Sequence, residues 1–256
     1  MANNISRTQI DKLGDRLRKG DITEADLRLL DEYRRSFTEA YDFVVIAIRN
    51  ELGLEPTGRP AKSTTSISEK LLRESIRLTQ VQDIAGCRLI AREIIDQDKV
   101  VNSLRRLFKN QVVVDRRNQP SHGYRAVHVI VRYGEKLVEI QVRTALQHAW
   151  AELSEKLSDL VDPAIKYGGG DPKNQEVLTE YSDLIADEEA LESELMRDRN
   201  NLSALLSRDN LSKEEQDAVL ASRRKTEQTE RSVISIRERM LGMLRNAIDK
   251  LPTRKQ

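Results

Sequence analysis

The sequence predicts an α+β fold in which a mixed sheet is flanked by helices. Short runs rich in β-branched residues alternate with helical stretches between Lys62 and Trp150, which indicates a core of strands and helices. On both sides of this core, apolar residues recur at helical period. Charged residues make up 33% of the chain and aromatic residues 4%, a composition that suits long solvated helices. We therefore expect an N-terminal helix, the core and a helical C-terminal extension.

The N-terminal region, residues 1–58, is predicted to hold one amphipathic helix from Thr23 to about Leu52. Thr23 is a suitable N-cap, because its hydroxyl can accept a hydrogen bond from the first turn. The apolar residues that recur near helical period are Leu27, Leu30, Phe37, Tyr41, Val44, Val45 and Ile48. Two prolines and a glycine between Glu55 and Pro60 then predict a break before the core.

The core, residues 59–167, is predicted to contain four strands and one helix. The strands are predicted at Cys87–Ile90, Val112–Val114, Ala126–Tyr133 and Leu137–Val142, and the helix at Asp98–Phe108. Gly134 lies in a turn between the last two strands, so we expect these strands to form an antiparallel hairpin.

The C-terminal extension, residues 171–256, follows a flexible glycine segment at residues 168–170 and is predicted to be almost entirely helical. Its two apolar stripes are formed by Leu178, Tyr181, Leu184, Leu191, Leu195, Leu202 and Leu205, and by Val233, Ile236, Met240, Met243 and Ala247. Ser212 and Glu215 have the spacing of a capping box. A helical hairpin is favoured over one long coiled coil, because breaks occur near Asp209 and Asn210.

Composition limits the location and the ligands of the chain. It has 43 Lys and Arg against 42 Asp and Glu, so its overall charge does not attract nucleic acid or membranes, and any anion site must be local. A single cysteine, Cys87, excludes an internal disulfide. The sequence shows neither the pattern of a secretion signal nor an apolar run of about 18 to 20 residues. We expect a cytoplasmic protein without a membrane span.

A basic segment precedes the first predicted strand. If residues 62–77 are helical, one face carries Lys62, Ser66, Lys70, Arg73 and Arg77. A neighbouring face carries Ile67, Leu71 and Leu78, which are expected to dock on the sheet. Taken alone, a stripe of this kind is more often a solvated surface than a binding site.

An aspartate and a glycine stand at the start of the first predicted strand. Asp83 and Gly86 in this position suit a metal-bound phosphate, because Mg²⁺ prefers a few carboxylates together with substrate oxygens. A helix cap or a turn would use the same two residues.

The last predicted strand carries a polar face. Alternation places Glu139, Gln141 and Arg143 on one side of the strand and apolar residues on the other. A carboxylate, an amide and a guanidinium are costly to bury without partners. A functional site is therefore favoured over open surface for this face.

The loop before the hairpin combines a glycine, an aromatic ring and basic groups. Tyr124 and Arg125 follow Gly123, and His128 comes three residues later. Such a loop can stack a nucleobase and contact phosphate. A simple entry into the hairpin, with Tyr124 in the core, is the alternative.

Taken together, these segments resemble the synthetase domain of the RelA/SpoT alarmone enzymes. That family has the ordered pattern K-S-x-x-S-I-x-x-K-L-x-R, D-I-A-G-x-R, G-Y-R-x-x-H and V-E-I-Q-x-R-T. The matching stretches here are Lys62 to Arg73, Asp83 to Arg88, Gly123 to His128, and Val138 to Thr144. The resemblance covers about 90 residues and points to small single-domain synthetases or to their toxic branch.

The resemblance implies a nucleotidyltransferase-like fold and an ATP-dependent pyrophosphokinase. Such an enzyme transfers the β,γ-pyrophosphate of ATP to a ribose 3′-hydroxyl and releases AMP. The ATP-binding positions that it implies are Arg59, Lys62, Ser66, Lys70, Arg73 and Arg88. The catalytic positions that it implies are Asp83, Glu139, Gln141 and Arg143, of which Asp83 and Glu139 would also hold Mg²⁺. The acceptor-binding positions that it implies are Tyr124, Arg125, His128 and His148.

The acceptor is the part of the resemblance that stays open. Synthetases that use free GDP or GTP typically carry a lysine four residues before the loop tyrosine, and here that position is Pro120, unless His122 or Arg117 supplies the cation. GDP or GTP is the first expectation, and the 3′-CCA end of tRNA, modified by a toxin of a toxin–antitoxin pair, is the alternative. Extra contacts to tRNA would come from basic residues in the N-terminal region, namely Arg16, Arg18, Lys19, Arg34 and Arg35.

Two further points stay open in the sequence. A catalytically dead regulatory module is a separate hypothesis, which the intact Asp83, Glu139, Lys70 and Arg73 disfavour. The C-terminal helices could mediate self-association, bind an antitoxin or brace the core.

Overall fold

The computed structural model describes residues 5–208 and 212–252, within which eight α-helices and five strands follow one another. The helices are α1 (Arg7–Lys19), α2 (Glu24–Arg35), α3 (Thr38–Leu52), α4 (Thr64–Arg73), α5 (Ile94–Leu107), α6 (Ala145–Leu160), α7 (Pro172–Leu206) and α8 (Lys213–Lys250). The strands are β1 (Thr57–Arg59), β2 (Ala85–Ala91), β3 (Gln111–Asp115), β4 (Val127–Tyr133) and β5 (Lys136–Thr144). This mixture of helices and one sheet confirms the predicted α+β class.

The chain divides into two units. The first comprises the residues up to Leu89 together with Val100–Val114 and Val127–Val142, and the second comprises Ile90–Lys99, Asp115–Ala126 and the residues from Arg143 onward. The sequence-based boundaries at residues 58 and 167 remain predictions. In the described parts of the chain, no helix is long and apolar enough to cross a membrane.

The single N-terminal helix predicted from Thr23 to Leu52 is wrong, because α2 ends at Arg35 and α3 begins only at Thr38. The Ser36 hydroxyl donates to the carbonyl of Tyr33 at 2.6 Å, which satisfies an acceptor at the end of α2. The break also lets Phe37 become buried with its ring edge-on to Tyr33. The predicted N-cap at Thr23 is confirmed.

The five strands form a mixed sheet in the order β1-β2-β5-β4-β3. The predicted hairpin is confirmed, since β4 and β5 pair antiparallel from Val127 opposite Val142 to Tyr133 opposite Lys136. Strand β1 was not predicted: its three exposed residues lie in the segment where two prolines and a glycine predict a break. It pairs antiparallel with β2 because Gly58 allows a very close approach, and a Cβ there would lie 2.3 Å from the carbonyl oxygen of Gly86.

The basic segment is only partly helical. Ser63 caps α4, and Glu74 after its end is extended, so Lys62 and Arg77 lie outside the helix. The prediction that one helix face carries all five polar residues is therefore wrong for these two. The apolar face is confirmed, because Ile67 and Leu71 are fully buried in the core of the first unit.

The C-terminal extension forms the predicted helical hairpin. Helices α7 and α8 run antiparallel, since Arg237 pairs with Glu188 while Arg199 pairs with Glu230. The predicted breaks near Asp209 and Asn210 lie outside the described residues. The two helices share a core with α6, formed by Leu146, Ala149, Trp150, Leu153, Leu178, Ile185, Met240 and Leu244 among others.

Candidate active site

Asp83 lies between two lysines just before β2. Its Oδ2 accepts from Lys62 Nζ at 2.6 Å and its Oδ1 accepts from Lys70 Nζ at 2.8 Å. All three side chains are less than one-fifth exposed. Burial alone would raise the pKa of Asp83, but the two ammonium groups outweigh it and lower that pKa to about 2. At neutral pH the cluster is therefore one carboxylate with two cations and carries a net positive charge.

Backbone contacts hold Lys62 although it is not helical. Its N–H donates to the carbonyl of Ile84 at 2.6 Å, and its own carbonyl accepts from Arg34 Nε at 2.7 Å. Lys70 comes from the last turn of α4, where Arg18 Nε donates to the nearby carbonyl of Leu71. The residue before the α4 cap and the last turn of α4 thus deliver two ammonium groups to one carboxylate.

Glu139 on β5 forms a second polar cluster. Its Oε1 lies 2.8 Å from His128 Nδ1 on β4, and its Oε2 accepts from Gln141 Nε2 at 2.7 Å. Burial would raise the pKa of Glu139, yet the contacts with His128 and Gln141 lower it overall. Because the carboxylate is ionised and can only accept, Nδ1 of the imidazole must carry the proton in this contact. Glu139 is thus a largely buried anion with both oxygens engaged.

The two carboxylates lie near each other, Asp83 just before β2 and Glu139 on the neighbouring strand β5. A Cβ on Gly86 of β2 would lie 3.1 Å from the carbonyl oxygen of Glu139. Asp83 precedes Gly86 by three residues, and its charge acts on the pKa of Glu139 in the raising direction. Ionised oxygen donors suit Mg²⁺, which also needs substrate oxygens. Among the described residues, no group of three or more His, Cys, Asp and Glu side chains could hold a metal by itself.

The remaining predicted ATP-binding residues lie on the same elements of the first unit. Arg59 is exposed on β1, and Arg88 on β2 stands opposite Thr57 in the strand register. Ser66 lies in the first turn of α4, where the hydroxyl of Ser63 contacts both its backbone N–H and its hydroxyl. Arg73 at the end of α4 contacts Glu74 at 3.1 Å.

The predicted acceptor loop, residues 121–125, belongs to the second unit. Ser121 and Tyr124 exchange backbone hydrogen bonds, while His122 and Gly123 have φ angles of 51° and 81°. Glycine is required at 123, because a Cβ there would lie 2.8 Å from the ring of Trp150. Ser182 of α7 also donates to the carbonyl of Gly123 at 2.9 Å. Helix α7 therefore holds this loop.

Tyr124 is neither free surface nor fully buried core. Arg143 Nη2 donates to its hydroxyl at 3.0 Å, and the Arg143 guanidinium lies 5.1 Å from the centre of its ring. The ring of Trp150 is 6.4 Å away at a tilt of 54°. Arg143, expected beside Glu139 and Gln141 as a catalytic residue, thus contacts the loop tyrosine and is almost fully buried.

Arg125 contacts a residue that the sequence did not single out. Its Nε and Nη2 both donate to Oε2 of Glu189 on α7, at 3.1 and 2.5 Å. Gln147 of α6 donates to the other Glu189 oxygen at 2.7 Å. Gln147 could have been recognised, because it completes a capping box with Thr144, but Glu189 looks like any other acidic residue of a helix.

The other basic candidates are also engaged in the structure. Arg117 contacts Asp98 at 2.7 Å and Asp115 at 2.6 Å, and His148 lies 3.5 Å from Glu152. The N-terminal arginines predicted to meet tRNA have internal partners: Arg16 binds Asp26, Arg18 binds the Leu71 and Ile76 carbonyls, Arg34 binds the Lys62 carbonyl, and Arg35 binds Asp31. Lys19 is exposed.

Comparison with known proteins shows what the chain is similar to. Residues 58–158 match the family model described as a region found in RelA/SpoT proteins. Rv1366 of Mycobacterium tuberculosis, an uncharacterized protein, is 38% identical over 111 residues, which are 42% of this chain and 41% of Rv1366. The GTP pyrophosphokinase YjbM of Bacillus subtilis is 36% identical over 132 residues, which are 46% of this chain and 59% of YjbM. The chain thus spans about half the length of these relatives.

Two solved structures resemble the fold as well. The small alarmone synthetase 1 of Bacillus subtilis has a TM-score of 0.51 and 28% identity, covering 70% of this chain and 100% of that one. A protein of Streptococcus mutans UA159 has a TM-score of 0.50 and 29% identity, covering 68% of this chain and 99% of that one. Residues 58–158 of this chain are thus similar to the region found in RelA/SpoT proteins, and the fold resembles that of a small alarmone synthetase.

Proposed function

We propose that this protein is an ATP-dependent pyrophosphokinase that transfers the β,γ-pyrophosphate of ATP to a ribose 3′-hydroxyl. The observation that carries the proposal is the largely buried cluster of Lys62, Lys70 and Asp83 close to the ionised Glu139. Phosphoryl transfer depends mainly on positioning and on neutralising phosphate charge. A site with movable cations next to two carboxylates meets both requirements.

The cations of the first unit would bind the donor. Lys62 and Lys70 would exchange part of their contact with Asp83 for the ATP phosphates, and Arg73 would add a third cation. Arg59 or Arg88 would flank the adenine, and Ser66 would contribute a hydroxyl near the start of α4. Mg²⁺ would be held by Asp83 and Glu139 together with phosphate oxygens, and it would neutralise charge on the transferred group.

Glu139 would also assist the acceptor. The 3′-oxygen attacks the β-phosphorus, the bond from that phosphorus to the α,β-bridging oxygen breaks, and AMP leaves with the electron pair. The hydroxyl proton passes to a base, for which the ionised Glu139 carboxylate is suited. Gln141 would orient that carboxylate, and His128 would do the same from β4, in addition to its predicted contact with the acceptor.

The acceptor that we propose first is a guanine nucleotide, GDP or GTP, stacked on Tyr124. Arg143 braces the Tyr124 ring, and His148 lies on the following helix α6. The 3′ end of tRNA is the second candidate. It is favoured by Pro120 in place of a lysine and by the pairing of Arg125 with Glu189, and it is disfavoured by the internal partners of the N-terminal arginines.

The test is to incubate the protein with γ-labelled ATP and to offer GDP, GTP or tRNA separately. We expect AMP release and label on one acceptor class, and a Glu139→Gln variant should be slowed at least about 100-fold, because it removes the buried anion. Glu135→Gln, in the exposed turn of the same hairpin, is the matched control and should keep wild-type activity. No AMP with any acceptor would favour the dead regulatory module instead.

Self-association or antitoxin binding through the C-terminal helices is a further part of the proposal. Val177, Leu184 and Leu191 of α7 are spaced by seven residues and remain exposed. Light scattering on the wild type and on Leu184→Glu would decide between the partners. A lower mass for the variant supports self-association, and an unchanged monomeric mass contradicts it.

A further inference from the structure

Arg125 is the loop arginine that would be expected to meet the phosphates of the acceptor. In the structure its Nε and Nη2 both donate to the same oxygen of Glu189, Oε2, and the two side chains are 11% and 8% exposed. Nε and Nη2 form the edge of the guanidinium with which arginine also binds a phosphate. Glu189 therefore occupies the anion-binding edge of Arg125.

This pair is held firmly from two helices. The second oxygen of Glu189 accepts from Gln147, which is 1% exposed and whose own Oε1 accepts from the backbone of Thr144 at the start of α6. Gln147 also bonds to Gln97 of α5 at 2.8 Å. Glu189 is thus satisfied on both oxygens and held by buried neighbours, unlike an exposed ion pair that rearranges freely.

The arginine on the other side of the loop is paired in the same way. Arg117 contacts the carboxylates of Asp98 and Asp115, and its side chain is 18% exposed. Pro120 stands where GDP- or GTP-using relatives are expected to carry a lysine. Arg117 before the loop and Arg125 at its end therefore both have their charge balanced by carboxylates of the second unit.

We propose that Glu189 is a specificity-determining residue, which cancels the charge of Arg125 so that the loop does not sense the number of 5′-phosphates on the acceptor. This inference rests on the proposed function. It predicts that the wild type binds GMP, GDP and GTP with affinities that differ by less than about threefold. An arginine free to bind phosphate would instead favour GDP and GTP.

The experiment measures binding of GMP, GDP and GTP by calorimetry to the full chain, with the KM for each in the AMP-release assay. Glu189→Gln keeps the shape of the side chain and its contact with Gln147, but it leaves the positive charge of Arg125 without a carboxylate partner. It should strengthen GDP and GTP binding about tenfold relative to GMP, while the KM for ATP stays unchanged. Glu194→Gln, an exposed position of the same helix, is the matched control and should leave all three affinities as in the wild type.

A second variant keeps the test decisive if Glu189→Gln does not fold, since a buried cation without its partner destabilises a protein. The double variant Arg125→Gln with Glu189→Gln removes both charges and should bind the three nucleotides as the wild type does. A loss of about tenfold in GDP and GTP binding in this double variant would show that Arg125 binds phosphate in the wild type, and it would overturn the proposal.

The nucleotide affinities distinguish a failure of the specificity role of Glu189 from a failure of the proposed pyrophosphokinase activity. If no acceptor yields AMP but Glu189→Gln gains affinity for GDP and GTP, the specificity role stands and the pyrophosphokinase activity does not. If a folded Glu189→Gln variant shows the same affinity series as the wild type, or binds none of the nucleotides, the specificity role is overturned whatever the activity.

Discussion

At the scale of single residues, opposing effects set the charge of Asp83 in the proposed donor site: burial favours its neutral form, and two lysines favour its ionised form. Two lysines surround its carboxylate, and they lower its pKa from 3.8 to about 2 against the effect of burial. A phosphate chain from ATP offers the same lysines a second anion. The cluster therefore stabilises the free protein, and under the proposed function its two lysines would turn from Asp83 to the phosphates when ATP binds.

Stability at low pH is the first test of this cluster. A carboxyl group whose folded pKa is depressed contributes stability that is complete above its unfolded pKa and lost as the pH falls through the folded value. For Asp83, with a pKa near 2 against 3.8, this is about 2 kcal/mol that is present at pH 7 and declines between about pH 4 and 2.

The measurement is urea unfolding of the wild type and of Asp83→Asn from pH 7 to pH 3. We expect Asp83→Asn to lower the free energy of unfolding at pH 7 by at least this amount, with a gap that narrows below pH 4. Asp42→Asn, at an exposed position of α3, should show almost no gap at any pH. A gap for Asp83→Asn that persists unchanged at pH 3 contradicts the pairing.

At the scale of elements, the short strand β1 depends on one glycine. A Cβ at Gly58 would lie 2.3 Å from the Gly86 carbonyl oxygen and 2.5 Å from the Cα of Cys87. Backbone atoms cannot yield as a flexible side chain can, so any larger residue must push β1 away from β2. Arg59 lies at the end of β1 and would move with it.

Gly58→Ala should therefore lower the free energy of unfolding by about 2 kcal/mol and weaken ATP binding. Gly242→Ala is the matched control, because Gly242 lies in α8 with open space around it. That substitution should instead stabilise the protein by about 0.5 to 1 kcal/mol through helix propensity. Thermal unfolding and ATP titration report both effects, and a Gly58→Ala protein as stable as the wild type would contradict the close strand approach.

At the scale of the whole molecule, the C-terminal extension is part of a core. Leu178, Ile185 and Leu244 of the extension pack in one cluster with residues of α6, and Trp150 donates to the carbonyl of Leu178 at 2.8 Å. An extension that only recruited a partner would not need these contacts. The extension therefore braces α6 and, through Ser182, the predicted acceptor loop.

Leu244→Ala should lower the free energy of unfolding of the second unit by about 2 to 5 kcal/mol, because Leu244 is fully buried. Trp150 is the only tryptophan of the chain, so its fluorescence during urea unfolding reports this unit. Leu220→Ala, at a residue of α8 that is 52% exposed, should change the value by less than about 0.5 kcal/mol. Equal effects of the two substitutions would mean that α8 does not contribute to this core.

The sequence by itself determined the features that depend on local periodicity and on ordered motifs. Apolar residues recur every two positions in a strand and about every 3.6 positions in a helix, since these periods decide which side chains share a face. From these periods followed the α+β class, the β4–β5 hairpin and the helical hairpin. The motifs at Lys62, Asp83 and Glu139 indicated the chemistry, because side-chain types at fixed spacing limit what a site can bind. Lys62 was wrongly placed in a helix, and its contact with Asp83 was not predicted.

Only the tertiary structure decided which of these charges face one another. Strand β1 was not predictable, because its pairing depends on the close approach of Gly58 to a segment nearly thirty residues away. The Arg125–Glu189 pair joins a loop to a helix 64 residues later, and an acidic residue in a solvated-looking helix carries no local signal of such a partner. Long-range contacts are set by the packing of whole elements, so the balance of charge at the acceptor loop appears only when the chain is folded.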